Sequence, residues 1–364
     1  MQIKTNIQNL NNYKTYLQIE QAVHEFMHKK GYLKLDLPVL SPALLPESYL
    51  EIFETEFRYF DKKEKLYLTP SPELFLKRLL VLGIGDCYYL GKSFRNSEPN
   101  SSFHSPEFTM LEFYRVGVTY LKLADEILEM MEFISTFLQS HSGKRSASRI
   151  VVSNNDSGQA RLAGASAKRA GMTSIKYQGK KISFEKWEKF TVAEAFEKFS
   201  HISEKELFDP TLFRKKALKK GYNIRGFTYQ DIFSQIISQE IEPKLGKNGR
   251  PTLLYDFPKE MSSLAKLDEE GKTAKRIEFY IDGIEVGGCC EELNNWQEQE
   301  NRFKMEDLRR KKEKKIHHPV DKGFIEALKY GLPDCTGAGI GFERLAMVFA
   351  NVDSIEKLKL INIW

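Results

Sequence analysis

Two antiparallel strands joined by a polar loop are predicted over residues 86–115, DCYYLGKSFRNSEPNSSFHSPEFTMLEFYR. We expect this loop to bind a nucleoside triphosphate. The first strand would bring Arg95 to the mouth of this hairpin. The second strand alternates, so that Glu112 shares a face with Met110 and Tyr114. A carboxylate on a face otherwise suited to burial persists only where a cation or hydrogen-bond donors meet it. The alternative is an edge hairpin with a solvated Glu112.

Two further carboxylates fall on opposite sides of a tight turn in residues 275–292, KRIEFYIDGIEVGGCCEE. The Asp-Gly pair at 282–283 is a strong two-residue hairpin signal, and it sets Glu278 diagonally across from Glu285 on one face. Like charges at this range repel unless a cation lies between them, and Mg²⁺ suits carboxylate and phosphate oxygens. The alternative is a solvated diagonal pair. A β-bulge is expected at the glycines 287–288.

A glycine-rich segment near the C-terminus, GAGIGFERL at 337–345, predicts a turn that runs into a helix. Glycines let the backbone approach a ligand closely, and Arg344 in the first helical turn can meet a phosphate. The spacing matches neither a P-loop nor a dinucleotide-binding fingerprint.

Composition sets outer limits on the function. The chain has 364 residues and a formal net charge of +5, which is compatible with an anionic substrate but does not indicate nucleic-acid binding. Its 4 cysteines show neither a CxxC pair nor histidines at ligand spacing, so we expect no disulfide framework and no zinc site. No signal core and no apolar run long enough for a membrane span occur. We therefore expect a soluble cytoplasmic protein.

The elements that must position these residues can be predicted in outline. Apolar spacing indicates a helix over 13–30, and GYLKLDLP at 31–38 reads as a strand that ends at Pro38, at a sheet edge or a subunit interface. A short strand at 66–68 precedes a helix over 74–82, with Ser71 as a cap. Glu73 then complements the helix dipole or serves as a pocket carboxylate. Further helices are predicted over 120–139, 192–199, 210–220 and 229–241, and a second run of strands from 252.

Residues 141–181 break the folded pattern. They are rich in Ser, Ala, Gly, Lys and Arg and almost free of acidic and aromatic residues. This composition predicts a basic, flexible insertion. A solvated loop is favoured over a polyanion-binding segment, because the basic residues follow no helical register and have no interleaved aromatic rings.

The three chemical segments together resemble the catalytic core of class II aminoacyl-tRNA synthetases. GYLKLDLP resembles the first motif of that core, FRNSEPNSSFHSPEFTMLEFYR the second and GAGIGFERL the third, in the same order. TPSPELFLKRLL, EPKLGKNGRPTLLYDFP and IEALKYGLPDCTGAGIGFERL are similar to the lysyl enzymes and, more closely, to their short paralogues, the elongation factor P lysine ligases. The resemblance implies an α+β fold with a class II synthetase-like antiparallel sheet flanked by helices. It further implies a single catalytic domain over 1–364, a homodimer and ATP-dependent amino-acid activation.

The resemblance also assigns site residues. Arg95 and Arg344 would be the catalytic arginines, on the α-phosphate and the far phosphates of a bent ATP. Mg²⁺ would lie on Glu278 and Glu285. The ATP site would comprise Arg95, Ser97, Glu98, His104, Glu285, Val286, Gly341 and Arg344, and the amino-acid site Ser71, Glu73, Glu112, Tyr114 and Glu292. No nucleophilic side chain is needed, because the amino-acid carboxylate itself attacks the α-phosphorus.

The chain departs from the family pattern in three ways, one of which is a second-motif loop that is longer by one residue. Ser97 stands where the family has an acidic residue two positions after the second-motif arginine, and Glu98 follows it. Gly288, Cys289 and Cys290 stand where the lysine enzymes have Asn, Gly and Phe. We therefore expect a cation-selective pocket that is looser in shape, and we expect Asn at position 288 to sharpen its selectivity.

The function implied is activation of lysine or β-lysine as an adenylate, followed by transfer to a lysine side chain of elongation factor P. One alternative is aminoacylation of tRNA by a lysyl-tRNA synthetase-like enzyme. The roughly 30 residues before the first motif and roughly 20 after the third are too few for an anticodon-binding domain, which favours the protein-modifying ligase. A catalytically inactive regulatory paralogue is the other alternative.

Overall fold

The computed structural model describes residues 2–97, 101–142 and 174–363, which contain ten α-helices and fifteen strands. The helices are α1 (Leu10–Lys29), α2 (Glu73–Val81), α3 (Tyr120–Ser142), α4 (Val192–Ser200), α5 (Glu204–Leu207), α6 (Pro210–Lys219), α7 (Tyr229–Ile236), α8 (Trp296–Lys312), α9 (Lys322–Lys329) and α10 (Phe342–Phe349). The strands are β1 (Ile3–Thr5), β2 (Leu33–Lys34), β3 (Leu40–Ser41), β4 (Phe53–Tyr59), β5 (Lys62–Leu68), β6 (Cys87–Phe94), β7 (Glu107–Val116), β8 (Ser174–Tyr177), β9 (Lys180–Ser183), β10 (Glu188–Thr191), β11 (Thr252–Pro258), β12 (Thr273–Ile281), β13 (Ile284–Glu291), β14 (Cys335–Gly341) and β15 (Ile361–Ile363).

Eight strands form the central sheet, in the order β10-β11-β12-β13-β14-β7-β6-β2. The pairs are antiparallel except at the two edges, where β10 runs parallel to β11 and β2 runs parallel to β6. Smaller antiparallel sheets, β3-β5-β4, β8-β9 and β1-β15, flank it. The predicted α+β fold with an antiparallel sheet flanked by helices is confirmed.

Strand β7 shows how the two faces of the sheet are used. Leu111 and Phe113 are buried in a core formed with α1, α3 and α10. Because side chains alternate along a strand, Met110, Glu112 and Tyr114 point to the opposite face. The face predicted for Glu112 is therefore confirmed. This face is the one that α1, α3 and α10 do not cover.

Two other hydrophobic cores lie beside the central one. Helices α4, α6 and α7 pack with β11 around Phe196, Phe213 and Phe233. Helices α2, α8 and α9 pack with β5 and β6 around Leu76, Phe303 and Phe324. The second of these cores fixes α2 and α8, which carry residues of the site described below.

The first predicted strand is shorter than the alternation of GYLKLDLP suggested. Only Leu33 and Lys34 form β2, although the Leu35 N–H still donates to Tyr88 O at 2.8 Å. Pro38 has no N–H to extend the ladder. The strand does lie at the edge of the central sheet, as predicted, and 51% of Leu33 is exposed there.

The C-terminal part of the predicted basic insertion is folded. Strands β8 and β9 form a hairpin whose turn, Gln178-Gly179, has positive φ at both residues. Tyr177 and Ile182 are buried in the central core. Folded structure therefore resumes at 174 rather than 182, and residues 143–173 of the predicted insertion lie outside the described residues.

The predicted helix over 229–241 is α-helical only as far as Ile236. It continues as a π-helix, Ile237–Ile241, and a 3₁₀ helix, Glu242–Lys244. In the described ranges we find no helix with the length and apolarity that a membrane crossing requires.

Candidate active site

The β6–β7 hairpin holds Arg95 where the sequence predicted it, directly after β6. The Arg95 N–H donates to Pro106 O at 2.9 Å, which closes the loop, and its guanidinium lies 5.2 Å from the centroid of the Phe108 ring. Ser97 is exposed and has a φ of 60°. Glu98 lies outside the described residues.

Glu112 lies at the centre of a buried hydrogen-bonded group. The Tyr114 hydroxyl donates to Glu112 Oε1 at 3.0 Å, and the Ser71 hydroxyl donates to Glu112 Oε2 at 2.7 Å. The Ser71 oxygen in turn accepts the Glu73 N–H at 3.1 Å. These contacts bring together four of the five residues predicted for the amino-acid site and exclude the solvated alternative for Glu112.

Lys77 completes this group, and the sequence analysis missed it. Its side chain is 1% exposed, and its Nζ pairs with Glu73 and lies 2.5 Å from Glu292 Oε2. Burial disfavours the ammonium, but the attraction of Glu292 and Glu73 outweighs burial and raises the Lys77 pKa well above its usual value. Lys77 is therefore a buried cation between two carboxylates. Glu73 belongs to a pocket and does not only complement the dipole of α2.

Two carboxyl groups of this pocket, Glu112 and Glu292, bind protons more tightly than usual. Burial, and then the negative charge of Glu73, raise the pKa of Glu112 to about 8. Burial raises the pKa of Glu292 to about 7, against the attraction of Lys77. Without a bound cation, Glu112 and Glu292 would therefore be partly protonated at neutral pH, and the pocket would carry less negative charge.

Replacing Glu112 by Gln should benefit stability more at pH 8 than at pH 5. The pKa of Glu112 in the folded protein, about 8, lies above its ordinary value of 4.5. The folded state therefore binds more protons over this interval, and the wild type loses stability as the pH rises through it. Gln has no proton to lose. Urea unfolding at both pH values measures the difference, and an equal effect of the substitution at both would contradict this assignment.

The Asp-Gly turn between β12 and β13 forms as predicted. Asp282 and Gly283 have φ values of 49° and 83°, and Tyr280 pairs with Glu285. The predicted bulge lies one residue earlier than expected, because the register shifts at Val286. Glu278 consequently lies opposite Gly288.

Glu278 and Glu285 face the same cleft, where a third carboxyl group joins them. Glu278 accepts from Arg276 Nη2 at 2.8 Å and from the Tyr280 hydroxyl at 2.6 Å. The same Tyr280 hydroxyl lies 3.2 Å from Glu242 Oε1. Burial, then the charges of Glu278 and Glu285, raise the pKa of Glu242 to about 7. Sequence reasoning missed Glu242, which follows the π-helix far from either strand.

Glu242, Glu278 and Glu285 do not form a complete metal-binding cage by themselves. Within 2–97, 101–142 and 174–363, no three metal-ligating side chains stand close enough together to enclose an ion. Mg²⁺, however, normally takes only one or two carboxylates and completes its shell with water and substrate phosphates. The oxygen donors of Glu278 and Glu285 fit an ion that arrives with a nucleotide.

Helix α10 begins after Gly341 and holds Arg344 over the same cleft. The Arg344 guanidinium contacts Glu285 Oε2 at 3.3 Å, His104 Nε2 at 2.7 Å and Phe103 O at 3.0 Å. The buried Glu343 accepts the Thr109 N–H at 2.8 and 2.9 Å and ties the helix to β7. Two predicted ATP residues, His104 and Glu285, therefore meet at Arg344.

The structure constrains two expectations from the sequence. Val286 was predicted to line the ATP site, but its side chain is buried in the helix-side core, so only its backbone can face a nucleotide. A side chain at Gly288 was expected to sharpen the pocket, yet its Cβ would lie 2.6 Å from Ile277 O. Asn at position 288 therefore requires the backbone to shift.

Within the glycine-rich segment, Gly337 is the position that has no room for a Cβ, whereas Gly339 and Gly341 have room for one. A Cβ at Gly337 would lie 2.3 Å from Glu292 Oε1 and 2.5 Å from Tyr114 Cε1. Cys290, beside it, has its Sγ 3.6 Å from Glu292 Oε1. Cys289 points to the helix-side core instead.

A cavity of about 890 Å³ lies beside the carboxyl groups proposed for the metal. Of the predicted site residues, Glu278 and Glu285 line it, whereas the predicted amino-acid residues do not. Its wall carries nine acidic residues and four basic ones. The acidic residues are Glu47, Asp231, Glu242, Glu260, Glu278, Glu285, Glu298, Glu306 and Glu313, and the basic ones Arg276, Arg302, Arg309 and Lys315.

Comparison with known proteins places the chain among synthetases. Residues 1–361 match the family model for class II tRNA synthetases (D, K and N). The elongation factor P–(R)-β-lysine ligase of Vibrio parahaemolyticus is 30% identical over 341 residues, which cover 93% of this chain and 91% of the relative. The ligase of the same name from Vibrio cholerae is 31% identical over the same coverage.

Proposed function

The chain belongs to the class II (D, K and N) tRNA synthetase family and is an ATP-dependent amino-acid ligase, and we propose that it ligates a lysine-like amino acid to elongation factor P. The amino acid would be lysine or β-lysine, activated as its adenylate. The acceptor would be a lysine side chain of the elongation factor. Both Vibrio relatives are elongation factor P–(R)-β-lysine ligases by name, which supports this acceptor.

The proposed substrate class rests on the charge of the pocket around Glu112. Glu73, Glu112 and Glu292 bring three potential negative charges, and Lys77 brings one positive charge. The two ammonium groups of a diamino acid would neutralise the negative charge that Lys77 leaves uncompensated. A neutral amino acid would leave a buried carboxylate unpaired, which costs more than an imperfect fit by one methylene.

The cofactors proposed are ATP and Mg²⁺. Arg95 would hold the α-phosphate and Arg344 the far phosphates, with Ser97, Glu98, His104, Gly341 and the Val286 backbone beside the nucleotide. Glu278 and Glu285 would hold Mg²⁺, which neutralises phosphate charge when bound. The amino-acid carboxylate attacks the α-phosphorus, and pyrophosphate leaves with the electron pair of the broken P–O bond. The protein fixes the in-line geometry and stabilises the developing charge.

We also propose a homodimer formed through the edge of the central sheet. Leu33 on the edge strand β2 is 51% exposed, which is unfavourable for an edge facing water, and Leu40 in β3, shortly after it in the chain, is 43% exposed. If this edge is covered by a second copy, the melting temperature will rise with protein concentration. Light scattering at micromolar concentration checks the mass, and a monomer there would contradict the proposal.

The acceptor is tested with purified elongation factor P and with total tRNA in parallel. The protein is incubated with ATP, Mg²⁺ and either lysine or β-lysine, and the intact mass of elongation factor P is measured. The proposal predicts a gain of one amino-acid residue and no labelling of tRNA. Labelled tRNA with unchanged elongation factor P would instead favour a lysyl-tRNA synthetase-like enzyme.

A further inference from the structure

The loop that contains Glu47 lines the large cavity and is held in place by hydrogen bonds with α8 and with Lys315. Arg310, which is 3% exposed, donates to Glu47 O at 2.8 Å and to Leu50 O at 2.6 Å. Glu306 accepts the Ser48 N–H at 2.7 Å, and Lys315 donates to Ser48 O. These contacts hold the loop by its backbone. The Glu47 carboxyl group is left to line the cavity.

The segment that contains Glu47 is tied to the residue after Arg95, because the Asn96 N–H donates to Glu51 O at 2.9 Å and the Asn96 side-chain amide donates to Ile52 O at 3.1 Å. The Glu47 carboxyl group feels the charges of Glu73, at the amino-acid end, and of Arg95, at the α-phosphate end. The neighbouring Tyr49 hydroxyl donates to Glu47 and itself feels Arg95 and Arg276. The carbonyl carbon of an aminoacyl adenylate lies between its amino-acid end and its phosphate. Glu47 is therefore a cavity-lining carboxyl group on the segment that is hydrogen-bonded to the loop after Arg95.

The proton affinity of Glu47 suits proton transfer at neutral pH. Burial and the charge of Glu73 raise its pKa to about 7, while the Tyr49 hydroxyl and Arg95 oppose the rise. Glu306 adds a smaller repulsion. A lysine ammonium, with an ordinary pKa near 10.4, is almost fully protonated at pH 7 and cannot attack a carbonyl. An acceptor lysine thus needs a base, and the acidic wall of the cavity favours entry of its cationic side chain.

We propose that Glu47 is the general base of the transfer step, which rests on the proposed ligase function. The Glu47 carboxylate accepts one proton from the ammonium group of the acceptor lysine. The freed amine attacks the adenylate carbonyl carbon, and a C–N bond forms as the C–O bond to AMP breaks. AMP leaves with the electron pair of that bond, and the second proton lost by the nitrogen passes to water. The cavity is the entrance for the acceptor.

The test compares two acceptors in single-turnover reactions of the preformed enzyme-bound adenylate. Elongation factor P presents a protonated lysine, whereas hydroxylamine is already neutral at pH 7 and needs no base. For Glu47→Gln we expect transfer to elongation factor P to fall by about 10²–10⁴-fold. Capture by hydroxylamine should remain at the wild-type rate. The rise of the wild-type transfer rate with pH around 7 should disappear in the variant.

Glu291→Gln is the matched control, because it removes a carboxyl group that pairs with Lys275 at 3.3 Å and does not line the cavity. It should change neither acceptor's rate, and circular dichroism should show both variants folded. Transfer to elongation factor P at the wild-type rate in Glu47→Gln would overturn the inference. An equal loss with both acceptors would also overturn it, because Glu47 would then position the adenylate. Absence of pyrophosphate exchange in the wild type would contradict the proposed function itself.

Discussion

Glu285→Gln is expected to lower amino-acid adenylation by about 10²-fold or more, because it removes a charge that holds Mg²⁺ beside the phosphates. Glu285 also contacts Arg344, and Gln keeps the shape and one acceptor oxygen for that contact. The fold should therefore persist. ATP–pyrophosphate exchange measures the loss, and raised Mg²⁺ should restore part of the activity. The corresponding change at Glu278 should act in the same direction.

Glu291→Gln provides the control on the same strand. Glu291 ends β13 and pairs with Lys275 at 3.3 Å, away from the cleft. Its replacement should leave exchange and its Mg²⁺ dependence as in the wild type. Full adenylation activity in the Glu285→Gln protein would remove the basis for a metal site at these carboxylates.

Lys77→Met should destabilise the protein by roughly 3–5 kcal/mol at pH 8, since removing one partner of a buried ion pair leaves its carboxylates uncompensated. Lys77 lies between Glu73 and Glu292. At pH 5 the loss should be smaller, because carboxyl groups whose pKa is raised by burial can be protonated there. The free energy of unfolding in urea at the two pH values measures the effect.

Lys65→Met is the matched control, because Lys65 pairs with Glu54 on an exposed strand. Exposed pairs contribute little, so its replacement should leave stability nearly unchanged at either pH. A Lys77→Met protein as stable as the wild type at pH 8 would mean that the pocket carboxyl groups stay protonated without the cation. The charge balance proposed for the substrate would then fail.

Local sequence patterns predicted those parts of the site whose geometry depends on strand alternation or on a tight turn. Alternation placed Glu112 and Tyr114 on one face of β7, and the Asp-Gly turn fixed the pairing of Tyr280 with Glu285. The position of Arg95 followed from the same hairpin. The resemblance of three ordered motifs to class II synthetases is confirmed by the family match over 1–361.

Residues whose roles depend on packing could not be found in this way. Lys77 follows Glu73 by four residues on a helix, a spacing typical of solvated pairs, and only the fold buries it beside Glu292, which directly follows β13. Glu47 and Glu242 reach the cleft from segments distant in sequence. Alternation after Glu285 turns the Val286 side chain into the core, so its predicted place in the ATP site would involve its backbone.

ATP–pyrophosphate exchange with a panel of single amino acids tests the central claim most directly. The panel includes lysine, β-lysine and ornithine, neutral amino acids of similar size such as methionine and norleucine, and glutamate. The three carboxyl groups around Lys77 predict exchange with the diamino acids and none with the neutral or acidic ones. Exchange supported by a neutral or acidic amino acid, with none for any diamino acid, would contradict the account of the pocket formed by Glu73, Glu112 and Glu292.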